Sequence, residues 1–252
     1  VASLFLATPL AAPIARTQAA TPKTTARRVA APVLTKEALY EQRLHDLYLN
    51  LGVAQQGLRY EVFEKAMTGY LNLEEEGKLN NGKQLLSVVD FSLPSTEKRL
   101  WVIDLAAKQV KFHTLVAHGH NSGENMATNF SNENESNMSS LGFYVTKGEY
   151  TGKHGRSLKL QGVDEGYNTN ALKRAVVMHG ADYVSEDFIK QYGRLGRSLG
   201  CPALPMDEKD AIIEAVNDGT CLFLNGPDQQ YSSKYLNEDV AISRLLDDTQ
   251  MI

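Results

Sequence analysis

Cysteine, tryptophan and long apolar runs are what this sequence has least of. Its 252 residues hold two cysteines, Cys201 and Cys221, and one tryptophan. Two thiols cannot build the dense disulfide framework of a small secreted scaffold. No apolar run reaches the roughly 20 residues that a membrane-spanning helix needs. Basic residues are in short supply as well: 26 Lys and Arg stand against 30 Asp and Glu, a formal net charge of −4. Four of the bases, Arg16, Lys23, Arg27 and Arg28, fall in residues 1–33 beside no acid, so the rest of the chain carries 22 bases and 30 acids, a balance of −8. An acidic body excludes nucleic acid as the expected partner, because phosphate binding needs a basic surface.

What is present is an ordinary globular balance, 42% apolar and 22% charged, enough for one mid-sized domain with appendages or two small ones. The start, Val1 to Ala12, reads as the apolar part of a secretory signal peptide without its basic leader or initiator Met; an Ala-rich tail is the alternative. Ala11, Ala12, Ala15, Ala19 and Ala20 offer cleavage sites. Export implies an oxidising compartment, the periplasm or cell envelope. A Cys201–Cys221 bridge is nevertheless not expected, since Cys221 lies in a strand-like run and Cys201 in a polar loop.

The organisation expected is a signal remnant over 1–20, an Ala/Thr/Pro-rich linker over 21–34, a helical extension over 35–80, a β-rich body over 81–230 and a polar tail over 231–252 that wraps the surface. Thr35 is placed to cap a helix carrying Leu39, Leu44, Leu47, Tyr48 and Leu51, and a second helix is expected over 59–73. Strands are expected over 85–91, 99–105, 110–116, 142–146, 158–160, 175–179 and 220–224. Between the last two, one helix is expected from Asp207-Glu208 to Gly219, with Ala211, Ile212, Ala215 and Val216 inward. The expected class is mainly β with flanking helices.

The chemistry concentrates in Arg197-Ser-Leu-Gly-Cys-Pro202, downstream of His179-Gly180. Cys201 is the candidate nucleophile and His179 the candidate base, since a neighbouring imidazolium favours the reactive thiolate. Gly200 lets the backbone turn tightly before the thiol. Pro202 has no N–H, so oxyanion donors must come from Cys201, Gly200 or Leu199, or from another loop. Ser198 either hydrogen-bonds in a pocket or caps a turn. Arg194 and Arg197 either hold a peptide carboxylate or are ordinary surface charge.

These residues resemble the YkuD-type L,D-transpeptidases, whose site carries a His, a spacer and then Ser/Thr-His-Gly-Cys. The wider run is similar to the divergent branch of murein L,D-transpeptidase catalytic domain proteins, through Ala117-His-Gly119, Phe130-Ser-Asn132, Ser139 to Tyr144, Tyr150-Thr-Gly152, His154-Gly155, Met178-His-Gly180 and Gly196 to Pro202. The resemblance covers residues 85–230; Leu199 stands where the family usually has His, and the spacer between His179 and Ser198 holds 18 residues, a little longer than common. It implies a YkuD-like β-sandwich or barrel catalytic domain over 81–230. It also implies acyl transfer on peptidoglycan tetrapeptide stems with no cofactor. Cys201 attacks the carbonyl of the diamino residue, D-Ala leaves, and an amine of a second stem takes the acyl group. The carbonyl of Gly180 orients the His179 ring.

Other readings remain open. Water as acceptor gives an L,D-carboxypeptidase, and Leu199 allows a non-catalytic wall-binding module. His118-Gly-His120, with His113 and His154, raises a metal amidase, yet no acidic or Cys ligand accompanies them, so no metal is expected and His118 is taken as pocket-lining or structural. Residues 121–137 hold six Asn, a solvated loop or a substrate flap. Ser139 and Ser140 lead into a strand and are candidates to line the pocket.

Overall fold

The computed structural model describes Val1 and residues 34–247; the expected signal remnant and nearly all of the linker lie outside the described residues. Helix α1 (Lys36–Asn50) opens where Thr35 is extended and its Oγ1 accepts the Ala38 N–H at 3.2 Å. Helix α2 (Tyr60–Glu75) follows. Then come β1 (Leu85–Asp90), β2 (Leu100–Asp104), β3 (Gln109–Thr114), β4 (Gly142–Gly152), β5 (Gly155–Gly162) and β6 (Val177–Gly180). Helix α3 (Glu186–Tyr192), strand β7 (Ala203–Leu204), helix α4 (Lys209–Val216), strand β8 (Cys221–Asn225) and helix α5 (Glu238–Asp247) follow among the described residues.

The eight strands form one curled mixed sheet in the order β3-β2-β1-β8-β4-β5-β6-β7, the mainly β architecture with N-terminal helices that was expected. Only β1–β8 and β6–β7 pair in parallel. Side chains alternate across the sheet because successive Cβ atoms point to opposite faces. Leu86, Val88, Trp101, Ile103, Phe143, Val145, Cys221 and Phe223 form one face, covered by α1, α2 and α5. Val89, Leu100, Val102, Tyr144, Leu222 and Leu224 form the other, where Ile212, Ile213 and Val216 of α4 pack. With both faces covered, β1 and β8 are buried along their whole lengths.

Three differences from the sequence expectation have physical causes. In α4 it is Ile213, not Ala211, that turns inward: Ala211 is exposed, and the larger side chain takes the buried position. The interval between β6 and β8 also holds α3 and β7. Ser185 caps α3, its Oγ accepting the Phe188 N–H at 3.2 Å, and Gly193 closes it at φ 70°. The polar tail carries α5, whose Ala241, Ile242 and Leu245 are buried against the N-terminal helices. Three apolar residues at helical spacing were enough to recruit an otherwise charged segment.

Candidate active site

Strand register brings the two sequence-distant halves of the site together. His179 of β6 lies beside Ala203 of β7, so the Cys201 loop, two residues earlier, arrives at the same edge. Ala117 and Gly119 form bridges to Ala203 and Ser198. A small apolar cluster of Leu115, Ala117, Ala181, Val184, Leu195 and Ala203 backs this junction. Above it opens a cavity of about 430 Å³ whose walls include Cys201, His179, Ser198, Leu199, Arg197, Arg174, Tyr183 and the β4–β5 hairpin residues Lys153 and His154.

The loop is folded by Ser198. Its Oγ donates to the Cys201 carbonyl at 2.6 Å and accepts the Gly200 N–H at 3.1 Å. Gly200 sits at φ 121°, and a Cβ there would fall 2.7 Å from the Met138 carbonyl oxygen, so glycine is required. Because the Gly200 N–H is taken, the N–H groups of Leu199 and Cys201 are the loop donors that meet no acceptor among the described residues. Leu199 itself is 69% exposed at the rim.

His179 is buried, with Nδ1 2.9 Å from the Gly180 carbonyl. A carbonyl only accepts, so Nδ1 carries the proton and Nε2 holds the lone pair of the neutral ring. Gly180 is confined in its own right: a Cβ would fall 2.1 Å from Lys209 Cδ. Burial lowers the His179 pKa, and the charges of His154 and Lys153 act the same way, against the Gly180 hydrogen bond. The His154 ring stacks on His179 with centroids 4.5 Å apart and planes 26° from parallel.

Both cysteines are free. Cys201 Sγ accepts the Val177 N–H at 3.4 Å and points its own proton to the Ala175 carbonyl at 3.8 Å. Burial raises the thiol pKa, while the Val177 N–H, Arg174 and Lys153 pull it back down. Cys221 is fully buried inside β8, and burial holds its thiol far above the usual range.

The remaining sequence candidates divide. Arg197 lines the cavity but is bound by the His120 and Gly123 carbonyls and by Glu124. Arg194 pairs with the same Glu124 and stays outside the lining. His118, Ser139 and Ser140 lie beneath the cavity, each at most 1% exposed. His118 Nδ1 meets Arg99 at 2.8 Å, and burial with Arg99 lowers its pKa to about 4. Ser139 Oγ accepts the Gly119 N–H and donates to the Gly200 carbonyl, while Ser140 Oγ accepts from Arg174. These three brace the Cys loop from below. His113 stacks on Trp101 and His154 on His179, so the histidines disperse, and among the described residues no group suited to a metal ion forms. Arg174, Tyr183, Lys153 and Ser157 line the cavity without having stood out in the sequence. Lys153 sits between two motif pieces and Arg174 precedes the strand that carries His179, and only the fold turns them toward the cavity.

The sequence profile of the L,D-transpeptidase catalytic domain family matches residues 54–225. A comparison with curated proteins found no match. Among solved structures, similarity extends to an L,D-transpeptidase from Mycobacterium smegmatis at 12% identity, covering 57% of this chain and 59% of that one with a TM-score of 0.36. The helical cell shape determining protein Pgp2 from Campylobacter jejuni is similar at 14% identity, over 73% and 62% of the two chains, with a TM-score of 0.37. An L,D-transpeptidase from Xylanimonas cellulosilytica is similar at 12% identity, over 74% and 91%, with a TM-score of 0.35. The chain thus spans about three-fifths of the Mycobacterium smegmatis protein. The profile match takes in the sheet core, the His179 strand and the Cys201 loop together, and on it the chain belongs to the L,D-transpeptidase catalytic domain family.

Proposed function

We propose that this protein is an exported L,D-transpeptidase that works through a Cys201 thioester on peptidoglycan stems. The observation that carries the reading is the polarity of the His179 ring: Nδ1 is held by the Gly180 carbonyl, leaving Nε2 as a base in the cavity shared with Cys201. In the first half-reaction Sγ turns from the Ala175 carbonyl toward the cavity and gives its proton to Nε2. The thiolate attacks the carbonyl carbon of the diamino residue, and the oxyanion is met by the free N–H groups of Cys201 and Leu199. The carbon–nitrogen bond to D-Ala then breaks, and Nε2 returns its proton to the leaving amine. The acyl group remains on sulfur. In the second half-reaction an amine of another stem attacks the thioester, loses its proton to Nε2 and releases the thiol, forming a 3-3 crosslink; water in place of the amine gives the tripeptide of an L,D-carboxypeptidase.

Mass spectrometry of muropeptide digests tests this. Wild-type protein is expected to convert tetrapeptide stems to crosslinked dimers or tripeptides, and Cys201→Ala to convert none. Equal conversion by both proteins contradicts the reading. A non-catalytic wall-binding module is the second reading, favoured by the thiol's contact with Ala175 rather than His179 and by the desolvation that raises its pKa. It predicts that wild-type protein retains stems without altering them.

A further inference from the structure

Arg174 is the cation in the cavity wall whose bonds go to neutral oxygens alone. Its Nη1 donates to the Ser131 carbonyl at 2.7 Å and Ser140 Oγ at 2.8 Å; its Nη2 donates to Ser136 Oγ at 3.1 Å and the Met138 carbonyl at 2.6 Å. No carboxylate lies within ion-pairing distance of it among the described residues, whereas Arg194 and Arg197 share Glu124. The guanidinium runs directly under the nucleophile loop: Nη2 lies 3.2 Å from the point where a Cβ on Gly200 would stand. Its neighbour Ala175 adopts φ 53°, a left-handed conformation uncommon for alanine. That kink sets Arg174 into the 131–140 segment while the Ala175 carbonyl faces the Cys201 thiol.

We propose that Arg174 is a positioning residue with two linked tasks: it supplies the fixed counter-charge of the Cys201 thiolate, and it ties the end of the Asn-rich loop to the nucleophile. The inference deepens the thioester reading and rests on it for its purpose, though its test reads the thiol alone. A half-buried guanidinium without a carboxylate partner keeps its full charge in a medium where charges interact strongly, and arginine does not escape by deprotonating. The other groups facing Cys201 are weaker sources. Lys153 and His154 stand on an exposed hairpin and are screened by water. Arg197 directs its guanidinium to Glu124, which Arg194 shares, and to the His120 and Gly123 carbonyls; Tyr183 is neutral at pH 7 because burial pushes its hydroxyl up to about 12, and burial, which lowers the His179 pKa, keeps that ring neutral until it takes the thiol proton. On the far side Arg174 faces the buried Tyr144 hydroxyl, which burial keeps protonated, and Glu133. Arg174 and Cys201 each favour the other's charged form, which opposes the effect of burial on both.

The test is the pH dependence of iodoacetamide alkylation at Cys201, read by peptide mass spectrometry; Cys221 is fully buried and does not compete. Arg174→Gln removes the charge and is expected to raise the alkylation midpoint by about one pH unit, slowing the reaction at pH 7 about tenfold. Arg174→Lys keeps the charge but loses the fork, and is expected to hold the wild-type midpoint. Ser136→Ala with Ser140→Ala takes away two neutral partners and leaves the charge, so it too is expected to hold it. If the charge is irrelevant and Arg174 is only a clamp, the Lys and double-Ser variants move the midpoint as far as the Gln variant, or none moves it; either result overturns the proposal. Should the Gln variant not fold, the Lys variant decides: a midpoint displaced by a full unit overturns the proposal. Muropeptide turnover is measured in parallel, so a displaced midpoint without turnover in wild-type protein indicts the transpeptidase reading and not the role of Arg174.

Discussion

Gly200→Ala probes the loop at its tightest point. The backbone at φ 121° costs a residue bearing a Cβ about 1–3 kcal/mol. The new methyl would also sit 2.7 Å from the Met138 carbonyl oxygen. That oxygen cannot retreat freely, because it holds Arg174 Nη2 at 2.6 Å, a charge-assisted bond worth about 1.5–3 kcal/mol. If the loop keeps its place, the two costs add to roughly 2.5–6 kcal/mol, and a domain of this size loses about 2–4 °C of Tm per kcal/mol. A fall in Tm of at least about 5 °C is therefore expected. If the loop moves instead, strain is relieved, but a displacement of about 1 Å at the nucleophile lowers turnover by roughly 100-fold. Gly193→Ala is the control: it too has positive φ, at 70°, but a Cβ there meets nothing within 4 Å. Differential scanning calorimetry and muropeptide turnover, measured on both variants, separate conformational strain from collision. A Gly200→Ala protein with wild-type Tm and wild-type turnover refutes the reasoning.

Ser198→Ala removes the hydroxyl that joins the Gly200 N–H to the Cys201 carbonyl; a loss of about 1–3 kcal/mol in urea unfolding and slower Cys201 alkylation are expected, and unchanged values of both count against the loop account. Leu199→Ala is expected to leave Tm within about 2 °C, since the side chain is 69% exposed, while raising KM for stems; a large Tm loss contradicts the rim assignment. His118 gives a pH signature. Its folded pKa is depressed to about 4 by burial and Arg99, against about 6.5 in the unfolded chain. The unfolded state therefore binds the extra proton as pH falls below 6.5, and stability is lost progressively down to about pH 4, by up to about 3 kcal/mol. Urea midpoints across that range are expected to fall more steeply for wild type than for His118→Asn, and parallel curves reject the assignment.

The candidate pair, Cys201 and His179, was legible because its signal is local: one loop thiol in a cysteine-poor chain, and one His at the end of an apolar strand. What surrounds the pair was not, because strand register and loop tucking decide it. His118 read as a pocket or structural residue, and Ser139 and Ser140, leading into a strand, as pocket lining, but all three turn beneath the loop, where Arg99, Gly119 and Arg174 absorb their polar atoms. Arg174 is an unremarkable base in sequence; the left-handed Ala175 aims it. His154 was visible as a motif piece, yet its stack on His179 depends on the β4–β5 hairpin folding back over β6. The same holds for the fold. Strands rich in β-formers announced themselves, whereas β7 is two residues long and is defined only by its parallel partner. The α5 helix is visible only once the face formed by α1 and α2 is there to receive Ala241, Ile242 and Leu245.

The central claim is that Cys201 carries the acyl group. Intact-protein mass spectrometry after rapid acid quench of a tetrapeptide-stem reaction tests it most directly. The account predicts an adduct equal to the stem's acyl portion without D-Ala, mapped to Cys201, removed by hydroxylamine and absent from Cys201→Ala. Turnover with no adduct at Cys201, or an adduct that persists in the Cys201→Ala protein, contradicts it.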